Sequence, residues 1–85
     1  MIYSDLINSL ELLINALNKS NKKQSAVFFS AKLNEIKKGG NNLKPILDEL
    51  SKCRAMAQYA GFSFLEEKLL DNVVGNAMKM IKNKP

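Results

Sequence analysis

Leu6, Ile7, Leu10, Leu13, Ile14 and Leu17 recur near the start of the chain, and Asn8, Ser9, Glu11, Asn15 and Asn18 fall between them. At about 100° per residue the apolar set fills one stripe of an α-helix, and the polar set lies away from its centre. Ser4 offers an N-cap and Asp5 a negative charge at the positive helix end, so the pattern predicts a helix over 4–19. The segment NKSNKK then turns the chain. Ala26, Phe29, Leu33 and Ile36 make a second stripe and predict a helix over 22–38, with Lys37 and Lys38 at its negative end. Leu43, Ile46, Leu47, Leu50, Cys53 and Ala57 make a third, over 43–60, which stops at Ala60–Gly61. Pro45 falls in its first turn, where a missing N–H costs little. Ser63-Phe64-Leu65-Glu66 has capping-box spacing, with Ser63 at the N-cap and Glu66 three residues on. Leu69, Leu70, Val73, Ala77, Met80 and Ile81 carry the last helix over 63–82, acidic at its start and basic at its end.

No stretch alternates with period two over a convincing length, and no linker divides the chain. The expected fold is all-α: a small antiparallel four-helix bundle, one domain over 1–85. The sequence KKGGNN at its middle admits two readings. A phosphate-cradling loop needs a preceding strand and the GxxxxGK[ST] spacing. Here a helix precedes the glycines and that spacing is absent, so the segment reads as a corner. Gly39 or Gly40 takes the left-handed position after the helix, and Asn42 caps the next one.

Composition narrows the chemistry. With 85 residues the chain buries a limited core, and it has no disulfide framework to reinforce it. Cys53 is the single cysteine and there are no histidines, which removes the commonest general acid–base and the usual partner of a nucleophilic thiol. Cys53 sits on the core stripe of its helix and reads as a buried thiol, which fits a reducing compartment such as the cytoplasm. Glu66, Glu67 and Asp71 gather carboxylates on the last helix, but their place in its first turns suits the helix dipole rather than catalysis. No enzyme activity, cofactor or metal site is expected. The N-terminal segment lacks the basic start and cleavage pattern of a signal peptide, and its apolar residues are too interrupted to span a membrane.

The net charge is +5, almost all of it lysine, with Arg54 the only arginine. That balance argues against sequence-specific nucleic-acid reading, which favours arginine. Abundant lysine and asparagine fit an AT-rich genome, bacterial or phage. An up-down bundle gathers Lys37, Lys38, Lys44, Lys79, Lys82 and Lys84 at one pole, where charge alone can hold an anionic partner.

Leu12, Phe28, Met56, Tyr59, Phe62 and Phe64 fall off the core stripes or crowd the last corner, with Phe62 and Phe64 also able to plug the bundle end. Such a surplus of apolar residues points to a contact surface. The leading expectation is a small cytoplasmic protein that binds another protein or a second copy of itself and acts as a regulator, inhibitor or neutraliser. In size, charge and helical layout the chain is similar to the four-helix bacteriocin immunity proteins, a resemblance that implies neutralising a partner and carries no residue roles. The alternative is a nonspecific nucleic-acid-binding or nucleoid-associated protein using the lysine pole.

Overall fold

The computed structural model describes residues 3–39 and 43–82. Every regular element among them is helical: α1 (Ser4–Lys19), α2 (Lys23–Lys38), α3 (Leu43–Ser51), a 3-10 turn (Cys53–Ala55), α4 (Met56–Tyr59) and α5 (Phe64–Lys82). α1 packs against both α2 and α5, α5 also packs against α3, and α2 meets α3 in a smaller contact. Side-chain contacts fix the directions. Ser20 meets Glu66 and Asn76 reaches the Asp5 carbonyl, so α1 and α5 run antiparallel. Lys37 meets Glu11 and Lys32 meets Glu49, so α2 runs against both α1 and α3.

The stripes predicted for α1, α2 and α5 point inward. Leu6, Leu10, Leu13 and Leu17 of α1 face Phe29, Leu33 and Ile36 of α2 and Leu70, Val73 and Ala77 of α5 across one core. Burial of each such side chain contributes about 1.5–3 kcal/mol, which is what offsets the chain entropy of so short a domain. Ile7, Ile14, Leu69, Met80 and Ile81 flank this core half-buried, and Val74 adds a buried contact that the stripe did not include.

The third helix departs from expectation. A continuous helix over 43–60 is replaced by α3, the 3-10 turn and the single turn of α4. Short-range bonds mark the break. The Ser51 hydroxyl donates to the Asp48 carbonyl at 2.8 Å and the Cys53 thiol to that of Leu50 at 3.1 Å, while the Lys52 N–H turns back to Glu49 at 3.2 Å. The backbone tightens there to an i→i−3 pattern. Starts shift slightly as well. Tyr3, not Ser4, stands at the cap position of α1, and Lys22 precedes α2.

Gly39 ends α2 in the left-handed conformation at φ 68°, its N–H donating to the Ile36 carbonyl at 3.1 Å. This is the corner read from KKGGNN; Gly40, Asn41 and the Asn42 cap lie outside the described residues. Nothing crowds the position where a side chain would start, so the backbone alone selects glycine. Gly39→Val is therefore expected to lower stability by about 1–2 kcal/mol in a urea titration. A midpoint equal to wild type would show that the corner is not strained. Gly61 also adopts φ 68°, and the next N–H, of Phe62, reaches back to the Ala57 carbonyl at 3.1 Å. That closure turns the chain so that Phe62 enters the core.

Candidate functional site

The end of the molecule where α1 stops and α5 starts is organised by one carboxylate. Ser63 and Glu66 form the predicted capping box: the Ser63 N–H donates to Glu66 Oε1 at 2.8 Å, and the Glu66 N–H donates to Ser63 Oγ at 3.2 Å. Sequence reasoning missed the other half. Ser20 Oγ donates to Glu66 Oε2 at 2.5 Å, and Lys22 Nζ lies 3.1 Å from Oε1. Glu66 is only 3% exposed. Burial pushes its carboxyl pKa up, but the hydrogen bonds from Ser20, the Ser63 N–H and Lys22, with the Lys22 charge, outweigh it and hold the pKa below the ordinary value. The residue is thus a carboxylate clamp joining the α1–α2 turn to α5.

That role separates the carboxylates grouped by sequence. Asp71 pairs with Arg54 at 2.7 Å near the surface, and Glu67 is exposed. No group of three histidine, cysteine or acidic residues among the described residues could hold a metal ion. Cys53 is buried, which pushes its thiol up to about 11 and keeps it protonated at neutral pH.

The off-stripe apolar residues divide. Tyr59 and Phe64 are 78% and 73% exposed, and Leu12 is more than half exposed. Lys68 Nζ lies 4.7 Å from the centre of the Phe64 ring, so a cation decorates this aromatic face. Phe62, by contrast, is buried and acts as the plug rather than as surface. Its position after Gly61 turns it inward. Phe28 is half-buried: its ring meets Phe29 edge-on at 5.0 Å, and Lys32 Nζ sits 5.0 Å above it. Lys32 also pairs with Glu49 at 2.9 Å, so Phe28 helps close the α2–α3 seam. Met56 is likewise half-buried against the core. Val27, Leu65 and Met78 are exposed apolar residues that the sequence reading did not single out. A wheel drawn about the true core directions of α2 and α5 places all three outside.

The antiparallel directions bring the C-terminal ends of α2 and α5 and the N-terminal end of α3 to the end where α1 begins. Lys37, Lys38, Lys44, Lys79 and Lys82 are exposed there, and Lys84 lies outside the described residues. Lys37 pairs with Glu11 and Lys38 with Glu35, each at 3.4 Å, which offsets part of this charge. No helix among the described residues is long and apolar enough to cross a membrane. The chain matches no family model, and neither the curated proteins nor the solved structures contain a significant match.

Proposed function

We propose that this chain acts by binding another protein, as a regulator, inhibitor or immunity-type neutraliser working in a reducing compartment such as the cytoplasm. Its architecture is best described as an antiparallel four-helix bundle whose third helix is broken. The observation that carries the functional reading is the exposure of Tyr59, Phe64 and Leu65 around the buried plug Phe62. Aromatic side chains held out of a core by a rigid corner lose little entropy on docking, and aromatic residues dominate the binding energy of interfaces. Lys68 beside Phe64 supplies a cationic rim that steers an acidic partner. The partner is a different protein or a second copy of the chain, and hydrodynamic mass separates the two.

The nucleic-acid alternative draws on the lysine pole. Pairing of Lys37 and Lys38 with carboxylates makes that pole less basic than a count of lysines implies, so protein binding ranks first.

Tyr59→Ser and Phe64→Ser are expected to change stability by less than about 0.5 kcal/mol, because both side chains stand in solvent. Each is expected to weaken partner retention or self-association, followed by sedimentation and by recovery of complexes from the native host. Full retention of the partner by both variants would remove this surface from the interface. Salt-sensitive binding to duplex DNA with no protein partner would promote the alternative.

A further inference from the structure

Three lysines without carboxylate partners stand around the aromatic corner. Lys68 Nζ lies 4.7 Å from the centre of the Phe64 ring. Lys23, at the start of α2, lines one open depression together with Tyr59. Lys19 closes α1 beside Ser20, whose hydroxyl reaches Glu66, the residue after Leu65. All three lysines are exposed, and none has an ion-pair partner among the described residues. Of the acids on α5, Glu66 is engaged by Lys22 and Asp71 by Arg54, which leaves Glu67 as the one without an ion pair. Exposed rings interleaved with ammonium groups match apolar side chains interleaved with carboxylates. Docking of the rings draws the lysines into a partly desolvated rim, where an opposing carboxylate gains most.

A second copy of the chain answers this charge poorly. It carries the same net charge of +5, and like charge slows encounter and opposes docking. Its acids without an ion pair, Asp5, Asp48 and Glu67, stand on three different helices. A lipid bilayer supplies anions but a flat face. The depression beside Tyr59, about 420 Å³ and lined by residues 21–25 with Tyr59 and Ala60, stays unfilled against such a face. A side chain from a protein segment can enter it.

We propose that the partner is a different protein, which presents an acidic segment studded with apolar side chains to Tyr59, Phe64 and Leu65, with Lys19, Lys23 and Lys68 pairing its carboxylates. On the protein-binding reading, on which this assignment rests, apolar contact holds the partner and the lysines select it.

The test titrates the uniformly ¹⁵N-labelled full chain with a short synthetic peptide in which glutamate alternates with leucine and phenylalanine. A version with lysine for glutamate removes the charge match, and polyglutamate removes the apolar one. Saturable amide shifts confined to residues 19–25 and 59–68 are expected with the acidic peptide alone, weakening as salt is raised. Lys23→Glu and Lys68→Glu are each expected to lower its affinity about tenfold. Lys23→Glu puts an acid at the positive end of α2, which favours the helix, so lost binding there is not lost fold. Unchanged amide dispersion verifies the fold of both variants. No saturable shift with the acidic peptide, equal binding of the lysine version, or full affinity in both lysine variants would overturn the proposal. So would self-association through this corner in sedimentation, which assigns it to a second copy. Binding to phosphatidylserine vesicles without binding to the peptide would also overturn it and assign the corner to a membrane. The protein-binding reading fails separately, if Tyr59→Ser and Phe64→Ser both retain the native partner.

Discussion

Phe29→Ala is expected to lower the free energy of unfolding by about 3–5 kcal/mol, the usual cost of emptying a buried phenylalanine site. Phe29 is fully buried where α2 packs against α1. A domain of 85 residues has a total stability of roughly 4–13 kcal/mol, so this one change removes a large share of it. Phe28→Ser provides the contrast. Its half-buried ring contributes an edge-on contact with Phe29 and a perch for Lys32, and a loss of about 1–2 kcal/mol is expected. Urea midpoints for the two variants measure the difference. Equal losses would mean that the two rings contribute alike to the core and that the α2 wheel is rotated from the one described.

Glu66→Ala is expected to cost about 2–3 kcal/mol at neutral pH, because it leaves the Ser63 N–H and the Ser20 hydroxyl without their acceptor and frees Lys22 from its carboxylate. The lower part of the range for a broken buried pair applies, since Lys22 keeps some access to water. Glu66→Gln separates charge from shape. The carboxyl pKa is lowered in the folded state, so the native chain binds fewer protons than the unfolded chain as pH falls. The stability from this ionised group is therefore complete above the ordinary value of 4.5 and is lost as pH drops through the lower folded value. Wild type is expected to exceed Glu66→Gln in stability at neutral pH, with the gap narrowing in acid. A gap that stays constant into strong acid would show that the fold does not hold Glu66 ionised.

These two residues show how unevenly the structure could be read from the chain. Phe29 was assigned to the core by its spacing from Ala26, Leu33 and Ile36, and it lies there. Half of the Glu66 role was equally legible, because Ser63 and Glu66 are neighbours in sequence and a capping box needs nothing else. The other half was not, because Ser20 lies 46 residues away and its approach depends on how α1 packs against α5. The candidate surface divides along the same line. Tyr59 and Leu12 stand outside as their stripes imply, whereas Phe62 and Phe64, read together as crowding the last corner, part company: Phe64 is exposed, and Phe62 turns inward because Gly61 reverses the chain just before it.

By itself the sequence determined the helical class, the central stripes of α1, α2 and α5, the left-handed glycine after α2 and the start of α5. All of these rest on interactions within a few residues, where hydrophobic period, capping and backbone sterics act without help from the rest of the chain. Tertiary structure decided which aromatic rings reach solvent and how Glu66 joins the α1–α2 turn to α5. Each of these depends on groups brought together across the fold, and side-chain burial and long-range polar pairing have no period along the sequence to reveal them.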